Sequence, residues 1–128
     1  SEILNLASIS GNFGFDPELK TSQKGDPIFN GSLVVNSRSK KKKLYVDIVA
    51  FGKVADHLGK YCKKGTWILV EDGEIIMDEW VDKNTQKKMR KLKLVVNRID
   101  LGPKDKDEDD NKNNNDTMPQ FDKDDDGF

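Results

Sequence analysis

Apolar residues recur at every second position along much of the first hundred residues. The pattern is clearest from Leu44 to Phe51, where successive residues divide into two alternating sets. Because neighbouring side chains of a strand point to opposite faces, this run predicts a β-strand. Its core face is expected to carry Leu44, Val46, Ile48 and Ala50. Weaker patterns of the same kind predict strands over residues 3–12, 28–35, 67–81 and 91–101.

The period changes between residues 53 and 62. Apolar side chains there recur at three- and four-residue spacing, at Val54, Ala55, Leu58, Tyr61 and Cys62. This spacing predicts one short amphipathic helix, which Gly65 is expected to end. Trp67, at the start of the next strand, is interpreted as a core residue, and residues 11–14 are interpreted as a turn.

Three strands, one helix and two further strands are the element order of the OB-fold. The predicted fold is therefore all-β, a five-stranded barrel with its single short helix between the third and fourth strands. Such a barrel presents a curved face that binds oligonucleotides or oligosaccharides. The patterned region predicts one domain, residues 1–102.

The pattern stops at Pro103, and the charge changes sign there. Residues 1–102 carry 18 basic and 13 acidic side chains, a net charge of +5, whereas residues 103–128 carry 4 and 10, a net charge of −6. Only three of the 44 apolar residues follow Pro103. Such a segment cannot bury a core, so a disordered polar linker is predicted over 103–120, followed by an acidic C-terminal tip over 121–128.

Several classes of protein are excluded by composition. The apolar runs are too short to span a membrane, and residues 1–6 lack a basic region and a long apolar stretch, so we expect no secretory signal there. A single cysteine, Cys62, allows no internal disulfide and no Cys-rich metal site, which suits a reducing compartment. Asp105, Asp107 and Asp109 alternate as calcium ligands can, but the glycine and glutamate of an EF-hand loop are missing. With no nucleophile near a base, we expect no enzyme, metal or cofactor.

Three aromatic residues and several cations form the candidate site. Tyr45 and Phe51 share one face of the clearest strand, and Trp80 precedes the turn at 82–85. Single-stranded nucleic acid binds through aromatic stacking surfaces and cations that follow the phosphates. The alternative is that Phe51 lies in the core, Trp80 caps the barrel and the lysines only solubilise loops. The candidate cations are Arg38, Lys40, Lys41, Lys42, Lys43, Lys53 and the basic cluster over residues 87–91, with Lys87, Lys88, Arg90 and Lys91.

Five segments in register resemble the bacterial-type single-stranded DNA-binding protein family. The first is an opening strand with Gly-Asn-Phe-Gly-Phe-Asp-Pro-Glu, and the second is an aromatic residue six positions before Phe-Gly-Lys. The others are the exit of the helix, a strand with a late tryptophan, and an acidic end in Asp-Asp-Asp-Gly-Phe. They occupy residues 9–18, 45–55, 61–65, 71–82 and 124–128.

The resemblance implies a function and roles for particular residues. It places Tyr45, Phe51 and Trp80 at stacking positions, and Lys53 and Lys64 at basic positions near the path of single-stranded DNA. It implies a homotetramer that binds and protects this DNA in the cytoplasm, at the nucleoid, or in the host cytoplasm if a phage encodes it. The tip would recruit replication, recombination and repair proteins through Asp124, Asp125, Asp126 and Phe128.

The chain also departs from the family pattern. No aromatic residue occurs from Ser37 to Lys43, where many members have a further stacking tryptophan. Asp47 and the pair Asp78-Glu79 stand where basic residues are usual, and Gly127 replaces the usual proline. Two other functions remain open: an OB-fold that binds RNA, and a protein-interaction adaptor that binds no nucleic acid.

Overall fold

Six strands and one helix account for most of residues 1–102, the part of the chain that the computed structural model describes. The tail predictions, a linker over 103–120 and a tip over 121–128, lie outside the described residues. The elements are β1 (Ala7–Phe13), β2 (Glu18–Thr21), β3 (Pro27–Asn36), β4 (Lys43–Phe51), α1 (Gly52–Tyr61), β5 (Trp67–Val81) and β6 (Lys88–Asp100).

Five of the strands pair in a closed circuit. Strand β1 is antiparallel to β5, β5 to β6, β4 to β3, and β3 back to β1, whereas β6 and β4 are parallel. The single helix follows β4 and precedes β5. The all-β OB-fold with one helix between the third and fourth strands of the barrel is therefore confirmed.

A glycine makes the closure between β1 and β3 possible. Asn12 and Phe13 of β1 pair with Val34 and Leu33 of β3. A Cβ atom on Gly11 would collide with the carbonyl oxygen of Val34, so only glycine allows the two backbones to approach this closely. The interpretation of residues 11–14 as a turn is wrong, since β1 continues to Phe13.

The short strand β2 is an addition that the alternation did not predict. It forms a hairpin with β3, in which Glu18 pairs with Asn30 and Thr21 with Pro27. All four of its residues are exposed, and only Leu19 is apolar. A fully exposed strand has no core face and therefore leaves no apolar alternation in the sequence.

The core fills the interior of the circuit and is closed at one end by α1. Phe13 and Phe29 meet edge to face, with ring centroids 5.8 Å apart. Ala55 and Leu58 of α1 are fully buried against the strands. On β4, Ile48 and Ala50 of the predicted core face are buried and Val46 is partly buried, but Leu44, beside the β3–β4 connection, is exposed. The buried apolar side chains are Phe13, Phe29, Leu33, Ile48, Ala50, Ala55, Leu58, Ile68, Val70, Leu94 and Val96.

The ends of α1 are set by backbone geometry. Gly52, its first residue, has a φ of 62°, a left-handed conformation that favours glycine and turns the chain from β4 into the helix. The helix ends at Tyr61, and the Cys62 N–H donates to the carbonyl of Leu58. Gly65 was expected to end the helix, but it lies in the turn that follows, between Lys63 and Thr66.

Strands β5 and β6 continue beyond the closed circuit as a two-stranded hairpin. Within residues 1–102, the stretches 76–81 and 88–93 pair as strands only with each other. The hairpin ends in a turn in which the Asp82 N–H donates to the carbonyl of Lys87. No helix of this part of the chain is long and apolar enough to cross a membrane.

Candidate nucleic-acid interface

One side of the sheet, here called the outer face, carries the side chains that point away from the core on β4, β5 and β6. Leu94 and Val96 point inward, so the alternate residues of β6 point outward, and residues paired directly across strands share a face. The outer face therefore carries Lys43, Tyr45, Asp47, Val49, Phe51, Glu74, Ile76, Asp78, Trp80, Met89, Lys91, Lys93 and Val95.

The three aromatic residues predicted from the sequence are exposed on this face. Tyr45 retains 67% of its accessible surface, Phe51 52% and Trp80 45%. Phe51 is therefore not a core residue, and Trp80 lies on the projecting hairpin, opposite Met89, rather than over the end of the barrel. Large apolar surfaces exposed together on one face indicate a site for a flat or apolar partner.

Val49 is the exception on β4. Its place in the alternation predicts exposure, yet only 6% of its surface is accessible. It is flanked by Asn30 of β3 and Val95 of β6, whereas Tyr45 lies outside the parallel pairing with β6. Two strand neighbours therefore cover Val49 and leave the aromatic residues at the ends of β4 open.

The basic loop between β3 and β4 lies at the Tyr45 end of this face. Its turn is closed by a bond from the Ser37 N–H to the Lys42 carbonyl, and Lys40 has a φ of 65°. Lys43 opens β4 two residues before Tyr45, so it shares the outer face. The exposed cations of the loop are Arg38, Lys40, Lys41, Lys42 and Lys43.

The other predicted cations are distributed more widely. Lys53 is exposed in the first turn of α1, two residues after Phe51, and Lys87 lies in the hairpin turn. Lys88 pairs with Val81, so its side chain points to the side opposite Trp80 and Met89. The structure therefore does not bring Lys88 together with the stacking residues.

A groove with a volume of about 270 Å³ opens beside β4, and the sequence did not predict it. It brings together loops and strands that are distant along the chain. Lys64 lies at the edge of the groove, where its backbone N–H donates to Oδ1 of the lining residue Asp16 at 2.8 Å. The lining residues are Phe15, Asp16, Glu18, Asn30, Gly31, Ser32, Asp47, Ile48 and Lys93.

Two ion pairs cross the outer face. Lys91 Nζ lies 2.6 Å from Asp47 Oδ2, and Lys93 Nζ lies 3.0 Å from Asp78 Oδ2. From the sequence, Asp47 and Asp78 were notable only because they are acidic at positions where the family usually has basic residues. Their partners come from β6, and no local pattern could identify them.

Trp67 is not a core residue, contrary to the interpretation from sequence. It retains 38% of its surface and lies at the other end of β5 from Trp80. Its ring packs over Gly102, where an added Cβ would come within 3.0 Å of the ring. Among residues 1–102, no group of three or more His, Cys, Asp or Glu side chains is arranged to hold a metal ion.

Comparison with known proteins agrees with this architecture. The model of the single-strand binding protein family matches residues 4–101. The chain is 35% identical over 101 residues to single-stranded DNA-binding protein 1 of Synechocystis sp., an alignment that covers 77% of this chain and 83% of that protein. It is 32% identical over 99 residues to single-stranded DNA-binding protein 2 of Nostoc sp., covering 77% of each.

A third relative is similar over the same part of the chain. The single-stranded DNA-binding protein of Borreliella burgdorferi is 31% identical over 104 residues, covering 77% of this chain and 69% of that protein. Together with the closed circuit of five strands, the position of α1 and the match over residues 4–101, these alignments show that the chain belongs to the single-strand binding protein family.

Proposed function

We propose that this protein binds and protects single-stranded DNA, with little sequence preference, along the outer face. The observation that carries the proposal is the exposure of Tyr45, Phe51 and Trp80 on one face of the sheet, beside the basic β3–β4 loop. Stacking of a base on an aromatic side chain contributes roughly 1–3 kcal/mol and tolerates any base, because every base has a π-face. The names of the relatives support single-stranded DNA as the ligand.

Binding of this kind needs no catalytic step. The aromatic side chains hold bases, and the cations at Arg38, Lys40–Lys43, Lys53 and Lys64 neutralise phosphates. Each neutralised phosphate releases condensed counterions, so the affinity falls as salt rises. In the cell, such a protein would act on the single strands exposed in replication, recombination and repair, in the cytoplasm at the nucleoid or in the host cytoplasm of a phage.

Titration of the full chain with a dT oligomer, followed by tryptophan fluorescence, tests the proposed function. Stacking on Trp80 is expected to quench the emission, and dA and dT oligomers of equal length should bind with similar affinity. A matched RNA oligomer competing as well as DNA would favour an RNA-binding protein, since the discrimination depends on the 2′-hydroxyl. No binding at all would favour a protein-interaction adaptor.

Replacing Lys40, Lys41, Lys42 and Lys43 together by glutamine is expected to flatten the salt dependence of binding. The slope of log K against log salt should decrease by about 0.7 for each phosphate contact that is lost. Titrations at several salt concentrations measure it. Lys60→Gln, on α1 away from the outer face, is the control and should leave the slope unchanged. An unchanged slope for the loop variant would show that the loop does not contact phosphates.

We also propose that the protein assembles as a homotetramer. The side of the β5–β6 hairpin opposite the outer face exposes apolar side chains that a single copy leaves uncovered. This surface is rich enough in large apolar residues to favour contact with a second copy of the chain. Sedimentation equilibrium of the full chain measures the assembly. The exposed residues are Ile75, Met77, Val81 and Leu92.

The acidic tip is proposed to recruit replication, recombination and repair proteins. Its support is compositional: Asp124, Asp125 and Asp126 precede Phe128, and residues 103–128 carry a net charge of −6. Concentrated acid beside an aromatic residue suits a basic, partly apolar pocket on a partner. Protein cut after Gly102 should keep its affinity for DNA and lose such partners, so loss of DNA binding on truncation would contradict this division of roles.

A further inference from the structure

Four charged side chains form a row across three strands of the outer face. Asp47 on β4 pairs with Lys91 on β6 at 2.6 Å, and Asp78 on β5 pairs with Lys93 on β6 at 3.0 Å. Asp78 also lies directly opposite Lys91 in the register of β5 and β6. The row therefore alternates acid and base, and its net charge is zero.

Both pairs are partly withdrawn from water. The side chain of Asp47 retains 26% of its accessible surface and that of Lys93 retains 25%. Their partners Lys91 and Asp78 retain 53% and 43%, so each pair joins one shielded and one open side chain. Fully exposed ion pairs contribute little to stability, because water screens the attraction and because holding two long side chains in one geometry costs conformational entropy. The shielded partner reduces the screening of the pair by water.

The row lies between the stacking residues. Asp47 follows Tyr45 by two positions, and Asp78 precedes Trp80 by two, so each aspartate shares a face with an aromatic neighbour. Lys91 follows Met89, the residue paired with Trp80, by two positions. A strand whose bases stack on Tyr45 and Trp80 would carry its phosphates past Lys91 and Lys93.

The groove makes the same region unfavourable to phosphate. Asp47 lines it together with Asp16, Glu18 and Lys93, so carboxylates outnumber ammonium groups there. A phosphate that approaches Lys91 meets a lysine already held by a carboxylate, with further carboxylates behind it. Like charges repel, and the repulsion from Asp47 is the least screened, because Asp16 and Glu18 are exposed whereas the Asp47 side chain retains only 26% of its surface.

We propose that Asp47 and Asp78 act as intramolecular competitors of phosphate, which hold Lys91 and Lys93 and withhold them from the DNA backbone. The inference rests on the proposed function and deepens it. The two aspartates lower both the affinity and its salt dependence, so that stacking supplies a larger share of the binding free energy. This arrangement suits a protein that must hold single strands and release them to other proteins.

Asp47→Asn tests the proposal, because it keeps the size of the side chain and removes its charge. Lys91 is then available to a phosphate, so binding to a dT oligomer should tighten, and the salt slope should steepen by about 0.7. The ratio of the variant's affinity to that of the parent protein should decrease by about 2.6-fold between 50 and 200 mM salt. Asp78→Asn should act in the same direction through Lys93, which gives a second variant if one folds poorly.

The control is Glu2→Gln, an exposed carboxylate before β1 that undergoes the same change in charge. An equal gain in this control would show a general effect of net charge and overturn the proposal. Lys91→Gln alone should leave the slope unchanged, but in combination with Asp47→Asn it should abolish the gain. A slope that falls by about 0.7 in Lys91→Gln alone would show that Lys91 already contacts phosphate.

The same titrations with a dC oligomer separate phosphate competition from base contact. An aspartate can accept a hydrogen bond from the exocyclic amine of cytosine, which thymine lacks. Phosphate competition predicts the same change in slope with both oligomers, whereas an effect confined to dC would overturn it. Binding by the parent protein with no response to Asp47→Asn or Asp78→Asn would reject this inference alone. Absence of binding by the parent protein would remove the proposed function as well.

Discussion

Trp80→Ala and Phe51→Ala are each expected to weaken binding of single-stranded DNA by roughly 5- to 150-fold, the equivalent of about 1–3 kcal/mol per stacked base. Both side chains are exposed at the ends of their strands, so each substitution removes a stacking surface without opening a cavity in the core. Fluorescence anisotropy of a labelled dT oligomer measures the affinity of both variants, because it does not depend on the tryptophan itself.

Tyr61→Ala is the matched control for these variants. Tyr61 is also an exposed aromatic residue, but it lies on α1, where its ring packs against His57 with centroids 5.0 Å apart. Its loss should leave the affinity within about twofold of the parent protein, a change of less than 0.5 kcal/mol. Equal affinities for the folded Trp80→Ala and Phe51→Ala variants and the parent protein would exclude the outer face as the binding surface.

Phe29→Ala is expected to lower the free energy of unfolding by about 3–5 kcal/mol. Phe29 is 1% exposed, packs edge to face on Phe13, and lies between Leu19 of β2 and Ala50 of β4 in the register. Its removal leaves a cavity where three strands meet. For a domain of this size, the loss corresponds to a decrease in Tm of at least about 12 °C.

Phe51→Ala is the control for stability, since it removes the same side chain from an exposed position. Its free energy of unfolding should change by less than about 1 kcal/mol. Thermal and urea unfolding, followed by circular dichroism, compare the two variants, while the anisotropy titration compares their binding. We expect Phe29→Ala to lower the free energy of unfolding, and Phe51→Ala to weaken DNA binding without lowering the free energy of unfolding by more than about 1 kcal/mol. A Tm for Phe29→Ala within a few degrees of the parent protein would contradict the packing described.

The elements predicted best were those with a buried side. The alternation from Leu44 to Phe51 marked β4, because one face of that strand packs on the core, and the three- and four-residue spacing of Val54 to Cys62 marked α1 to within one residue at each end. The same alternation put Tyr45 and Phe51 on one face, but only the structure decided that Phe51 is exposed rather than in the core. An element that is buried on one side has apolar residues at a regular spacing, and β4 and α1 both show this spacing.

The errors occurred where exposure and burial do not follow the local period. The strand β2 has no buried residue, so nothing in its sequence separates it from a loop. Trp67 was interpreted as core because it is large and apolar, but it lies at the end of β5 against Gly102. Val49 was placed on the exposed face, but neighbouring strands on both sides cover it.

The sequence by itself determined the order of the five barrel strands and the helix, the change in the sign of the charge at Pro103, and the shared face of Tyr45 and Phe51. These properties depend on residues that are close along the chain. Only the tertiary structure decided which strands are neighbours. The parallel pairing of β4 with β6 brings Lys91 to Asp47, 44 positions away, and the groove joins Phe15, Asn30 and Lys93. Charge pairing across strands depends on long-range register, which the alternation within one strand does not encode.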